Sequence, residues 1–204
     1  MTTVGKNTPE TTGGSEPKIQ DVESPKRSED SIIIRNLREE DYPEVRAILQ
    51  EGMNTGEATF EAEAPEWEDF RAARLLELTF VAEDEAAGKI LGWIAASPAS
   101  QREVFHGVIE DSIYMSSDAK GRGVGGKLLD TLIAGATKAG RWSIHSHIFP
   151  ENEGSVRLHV SRGFELVGTF HSMAKMSYGP KKDAWRDNQV YELVLEEGPA
   201  RNGE

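Results

Sequence analysis

The stretch "DAKGRGVGGKLLDTL", residues 118–132, sets Gly121, Gly123, Gly125 and Gly126 between Lys120 and Lys127, just ahead of an apolar helical stripe. A glycine loop feeding a helix presents backbone N–H groups that lack intrahelical partners, and such a row grips phosphate. Three readings compete. Gly121, Gly123 and Gly126 fit the dinucleotide spacing G-x-G-x-x-G, whereas Gly121, Gly126 and Lys127 fit the start of a P-loop. The run from Lys120 through Gly123 to Gly125 suits the pyrophosphate of coenzyme A. A dinucleotide fold needs an acidic residue about 20 positions further on, where this chain offers Ser143, His145, Ser146 and His147. A P-loop needs Ser or Thr directly after its lysine, and Leu128 stands there. A glycine turn with no ligand would weaken the helix start without using its N–H groups. The coenzyme A reading meets none of these obstacles.

Other side chains suited to chemistry lie on either side of the loop. Glu110 sits mid-strand in an apolar run beside Ile109 and Ile113, where a carboxylate can act as a base. Asp111 alternates to the opposite strand face and is not expected to share a site with it. His159 has the side chain that titrates nearest neutrality, so it can assist a deprotonation or return a proton to a thiolate. His145 and His147 share a strand face but have no third ligand at useful spacing, so no metal is expected. Trp67, Trp93 and Trp185 read as core or pocket wall. The chain has no cysteine, which excludes disulfides, thiolate metal sites and a cysteine nucleophile together. Direct transfer between two bound substrates is then simpler than a covalent intermediate.

These residues need a scaffold to hold them. "SIIIRNL" reads as a strand and "REEDYPEVRAILQEGM" as a helix with Val45, Ile48 and Leu49 inward. "PEWEDFRAARLLEL" reads as a second helix carrying Trp67, Phe70, Leu75 and Leu78. A hairpin follows, "TFVAEDE" and "KILGWIAASP" around "AAGK". "GVIEDSIYMSS" is a strand that runs straight into the glycine loop. Leu128, Leu129, Leu132, Ile133 and Ala136 then form a helical stripe ended by Gly140. "WSIHSHIF" is a strand, "NEGSVRLHVSRG" a short helix capped by Asn152, and "FELVGTFHS" and "QVYELVLE" are the closing strands. Mixed order without repeats indicates one α/β (α+β) domain over residues 31–196. Residues 1–30, rich in Thr, Ser, Gly, Pro and charge, are expected to be a disordered tail, and 197–204 a flexible end.

The 204 residues carry 23 Lys and Arg against 35 Asp and Glu, a net charge of −12, which argues against nucleic acid or an anionic membrane as partner. No apolar run is long enough to span a bilayer, so a soluble cytoplasmic protein is expected.

Lys120-Gly121-Arg122-Gly123-Val124-Gly125 resembles motif A of the GNAT acetyltransferases, [QR]-x-x-G-x-[GA], with Lys at the first position. "NEGSVRLHVSRGF" is similar to a second block of the superfamily through Asn152, Ser155, Gly163 and Phe164, and "SVRLH", with His159 at the usual tyrosine position, is how the phosphinothricin N-acetyltransferase group reads. "REVFHGVIEDSIYMS" resembles that group's R-x-A-Y-x-x-T-x-E-x-S-V-Y-V stretch at Arg102, Glu110 and Tyr114, and "GEATFEAEAPE" its early segment. The long "HSMAKMSYGPKKD" segment departs from the group, where a short connection shapes the acceptor site.

The resemblance implies a mixed, mostly antiparallel central sheet with helices on both faces, acetyl-CoA as co-substrate without a metal, and a homodimer. It implies a binding loop from Lys120 and Gly121 through Arg122, Gly123, Val124, Gly125 and Gly126 to Lys127, with side chains of Lys120 and Arg122 adding charge. Asn152 and Ser155 would contact pantetheine, and an N–H around Ile113 to Met115, near a strand bulge, would meet the oxyanion. Glu110 would be the base and His159 its partner; Phe60, Arg102 and Phe105 would line the acceptor pocket, Arg102 meeting an anionic group. The implied acceptor is the α-amine of phosphinothricin or methionine sulfoximine. A polyamine, an aminoglycoside or a protein amine remains an alternative, as does a non-catalytic acyl-CoA-binding module.

Overall fold

In chain order the elements are β1 (Ile32–Asn36), α1 (Tyr42–Asn54), α2 (Trp67–Ala73), β2 (Leu75–Asp84), β3 (Lys89–Pro98), β4 (Val108–Met115), α3 (Val124–Lys138), β5 (Ser143–Ile148), α4 (Glu153–Val160), β6 (Glu165–Lys175) and β7 (Trp185–Val194). The computed structural model describes residues 1–2 and 31–195. The expected tail, Met1 and Thr2 apart, and the segment 197–204 lie outside the described residues.

The strands join in one sheet in the order β1-β2-β3-β4-β5-β7-β6. Only β4 and β5 pair in parallel; every other neighbouring pair is antiparallel. Two apolar layers hold the helices to its faces. On one side α1 and α2 bury Val45, Leu49, Met53 and Phe70 against Val81 and Trp93. On the other, α3 buries Leu128, Leu129, Leu132 and Ala136 against Phe80, Leu91 and Ile94. Alternation along β3 serves both layers, and a bulge resets it near the start: the register with β2 shifts between Ala82 opposite Gly92 and Glu83 opposite Ile90, which leaves Leu91 as the extra residue. Ile90 then faces α1 and Leu91 faces α3.

One sequence expectation is corrected here. The second helix stops at Ala73, and Leu75 and Leu78 belong to β2, where Leu75 lies opposite Ala96. Strand pairing overrides a helical spacing that continues for only a few residues. The closing strands also run further toward each other than expected, β6 to Lys175 and β7 from Trp185.

The feature that positions the site is a fork. β4 and β5 pair only as far as Glu110 opposite His145. Beyond that point β4 continues against β3 to Met115, and β5 continues against β7 to Ile148. The two strands therefore diverge and leave a cleft through the sheet.

Candidate active site

At the mouth of the fork the glycine loop turns into α3. Gly121 and Gly123 hold φ of 74° and 69°, a left-handed backbone that glycine adopts without strain. A Cβ on either would meet no protein atom within 4 Å. The Arg122 N–H donates to Ala119 O at 3.1 Å and the Lys127 N–H to Gly123 O at 3.3 Å. Between them Gly123, Val124, Gly125 and Gly126 open the helix with N–H groups that have no backbone acceptor among the described residues. That row fits a pyrophosphate.

The loop residues line a cavity of about 660 Å³ together with Ile113, Met115, Lys120, Asn152 and Ser155. So the structure brings together most of the residues expected at the coenzyme. Asn152 caps α4, accepting the Ser155 N–H at 3.1 Å, and donates its own amide to Glu57 O at 3.2 Å. Arg122 does not join them. Its guanidinium turns under the loop to Asp84 at 2.8 Å, holding that carboxyl below the usual range, so its charge is spent on bracing the loop against the end of β2. Lys127 also stays out of the cavity lining. The expected bulge near Ile113 is absent as well: β3 and β4 keep an unbroken register from Ile109 to Met115, and the fork itself frees the strand edge.

A second cavity, about 400 Å³, continues from the first through Ala58, Ile113, Tyr114, Asn152 and Ser155. Glu110, Phe60 and His159 line it. Asp111 does too, contrary to expectation. Strand alternation does send Glu110 and Asp111 to opposite faces, but the cleft passes through the sheet and reaches both. Phe60 stands edge-on to Phe149 with centroids 4.8 Å apart and forms an apolar wall. Tyr114, stacked on Trp93 at 4.8 Å, lies where the cavities meet; burial pushes its phenol up to about 12, so it remains a neutral donor.

His159 is 1 % exposed and both its nitrogens are engaged. Nδ1 donates to Ser155 O at 2.8 Å, and Nε2 lies 3.1 Å from Asp111 Oδ2. The other oxygen of Asp111 accepts from Ser146 Oγ. Burial alone would lower the imidazole pKa; the hydrogen bond and charge of Asp111, with the Ser155 carbonyl, outweigh it and the net shift is upward. The result is a buried ion pair that ties α4 to both arms of the fork. A histidine so occupied is a poor proton carrier.

Arg102 and Phe105 lie elsewhere. They occupy the loop before β4, Arg102 exposed and stacked over the Phe105 ring at 5.2 Å. Phe105 lines a separate hollow with Val108, Trp142, His145 and Glu192. From that loop, β4 must run several residues, at roughly 3.3 Å each, to reach the cavity. Among the described residues no Lys or Arg lines the Glu110 cavity.

Residues that the sequence did not single out complete the site. Arg186, 3 % exposed in β7, donates to Glu57, to Glu151 at 3.0 Å and to Gly56 O at 2.8 Å, and lies over the Phe149 ring at 4.3 Å. The long β6–β7 segment folds onto the same wall, Tyr178 donating to Thr59 O at 2.8 Å and Lys181 pairing with Glu57 at 3.3 Å. Residues 57–61 are thus clamped between the two cavities. The signal for this was the alternation along β7, which puts Arg186 and Asn188 on the face shared with His147. Among the described residues no group of three or more His, Asp or Glu is placed to hold a metal.

Comparison with known proteins agrees with this geometry. The Acetyltransferase (GNAT) family pattern matches residues 34–164. The phosphinothricin N-acetyltransferase of Alcaligenes faecalis is 33% identical over 175 residues, 82% of this chain and 85% of that one. An L-methionine sulfoximine/L-methionine sulfone acetyltransferase of Pseudomonas aeruginosa is 30% identical over 172 residues, 81% and 96% of the two chains. Among solved structures, a phosphinothricin acetyltransferase from Sinorhizobium meliloti in complex with acetyl-CoA superposes with a TM-score of 0.74 at 28% identity, covering 85% of this chain and 94% of the other.

Proposed function

The chain belongs to the GNAT acetyltransferase family, and we propose that it transfers the acetyl group of acetyl-CoA to the α-amine of a small amino-acid-like compound of the phosphinothricin or methionine sulfoximine type. The observation that carries this is the pair of joined cavities. One is floored by unpaired N–H groups at a helix start, and the other is lined by the carboxylate of Glu110.

Acetyl-CoA supplies the activated acyl group; the protein's residues do the rest. The N–H groups of Gly123 to Gly126 take the pyrophosphate, with Lys120 beside them, and the strand edge at Ile113 to Met115 lies free to donate to a developing oxyanion. Glu110 removes a proton from the acceptor ammonium, which at neutral pH is mostly charged. The neutral Tyr114 phenol, at the junction, is placed to return a proton to the departing thiolate. With Arg102 outside the cavity, the acid end of the acceptor is met by neutral donors, the hydroxyls of Thr59 and Ser112 and the amide of Asn188.

We further infer a metal-free enzyme of the cytoplasm, the compartment that holds acetyl-CoA, working as a homodimer without nucleic acid or membrane. Exposed Leu166, Val167, Phe170 and Trp185, on the two strands β6 and β7 at one edge of the sheet, support a second copy as its cover. The deciding experiment titrates released thiol with acetyl-CoA and a panel of phosphinothricin, methionine sulfoximine, spermidine and an aminoglycoside. The amino acids are expected to turn over fastest. Preference for the polyamine, or silence with every acceptor, would overturn the assignment.

A further inference from the structure

Of the two histidines that face the same side of β5, His145 turns to Glu192, 3.5 Å away, and His147 turns into the acceptor cavity. Nδ1 of His147 lies 2.9 Å from Asn188 Oδ1. A carboxamide oxygen only accepts, so that nitrogen carries the hydrogen and Nε2 is left with its lone pair. Nε2 lies 3.9 Å from Glu110 Oε2, a gap that a small side-chain rotation or one water closes. Asn188 is buried, while the imidazole side chain is 30% exposed and reaches solvent at its edge.

We propose that His147, oriented by Asn188, is the outlet through which Glu110 passes the acceptor's proton to solvent. The proposal rests on the reading of Glu110 as the base. In the first step the acceptor ammonium gives one proton to the Glu110 carboxylate, leaving a neutral amine and a carboxylic acid. The acid then gives that proton to Nε2 of His147, which restores the carboxylate and forms an imidazolium. Both ring nitrogens now carry hydrogen, and the bond from Nδ1 to Asn188 is kept throughout, so nothing has to reorient. The imidazolium releases the proton to water at its exposed edge. Glu110 is ready for the next acceptor.

The charged groups facing His147 fit this role. β4 contributes Glu110, which stabilises the imidazolium when it forms. β7 contributes Arg186 two residues from Asn188, but Glu57 and Glu151 neutralise it. On β5 the neighbour is His145 beside Glu192, and Glu61 lies across the cavity on the loop that follows α1. From β6 the cavity is lined by the uncharged Met173. Across the fork, Asp111 and His159 satisfy each other.

The test is the pH profile of kcat/KM for the acceptor in wild type, His147→Gln and His147→Ala, using the full chain, acetyl-CoA and methionine sulfoximine. Both variants are expected to lose about 10-fold in kcat near pH 7, less than the roughly 10²–10⁴-fold of a group that exchanges the proton with the substrate itself, with little change in KM for acetyl-CoA. They should also flatten one limb of that profile, and free imidazole should restore part of the rate of His147→Ala. Where that variant fails to fold, Asn188→Ala keeps the ring and removes its anchor, and should displace the same limb of the profile. Wild-type rates and profiles in the variants, or no response to imidazole in a folded His147→Ala, would overturn the outlet. Wild type inactive with every acceptor would instead sink the parent assignment.

Discussion

At the scale of single residues, Glu110 and Gly123 carry the clearest expectations. Glu110→Gln should lower kcat at neutral pH by about 10²-fold or more and leave acetyl-CoA affinity intact, with partial recovery at high pH where free amine is abundant. Steady-state kinetics from pH 6 to 10 would decide it, and full activity at pH 7 would make Glu110 an ordinary strand carboxylate. Gly123→Val forces a β-branched side chain to φ of 69° and stands it in open space on the cavity wall. It should raise KM for acetyl-CoA far more than KM for the acceptor, and equal effects on both would indicate general misfolding. Glycine spacing made Gly123 legible, because it depends on local backbone geometry, whereas Glu110 was marked out as a base by the family resemblance and strand alternation alone would have left Asp111 out of the site. Arg122 and Arg102 were not legible in the same way. Motif position puts a cation near a site, but which way a guanidinium turns depends on distant partners, Asp84 for one and the Phe105 ring for the other.

Among the elements, α4 hangs from the sheet by its buried Asp111–His159 pair. Asp111→Asn strands an imidazolium, which typically costs about 3–5 kcal/mol, and urea unfolding would show it. The pair also sets a direction with pH. The folded-state pKa of His159 is raised above its ordinary 6.5, so its stabilisation is complete below that value and fades as pH climbs through the folded pKa. The gap in melting temperature between wild type and His159→Gln should therefore be wider at pH 6 than at pH 9; a gap that widens with pH would refute the ion pair. The β6–β7 segment makes a separate case. Its sequence departs from the resembling group, and while alternation along β7 gave the face of Arg186, nothing local foretold that Tyr178 and Lys181 converge with it on the wall between the cavities. Removing that hub by Arg186→Met should raise KM for the acceptor, since Glu57 and Glu151 would then face each other with only Lys181, on Glu57, left to offset their charge.

For the whole molecule, the mixed sheet with helices on both faces follows from the order of elements, and the GNAT neighbours share it. The fork was beyond the sequence, since β4 and β5 each read as an unbroken strand and only their mutual register shows where pairing ends. Its consequence is thermodynamic. A sheet that carries an open edge in its interior is a structure lacking one hydrogen-bonding partner, and an extended co-substrate lying in the cleft would take that partner's place. Stability and occupancy are then a single linked quantity. At acetyl-CoA concentrations about 100 times Kd the folded state should gain roughly 2.7 kcal/mol, and the amides of 111–115 and 146–148 that face the cleft should turn from fast to slow in hydrogen exchange. A cell short of acetyl-CoA would hold this protein in its least durable form.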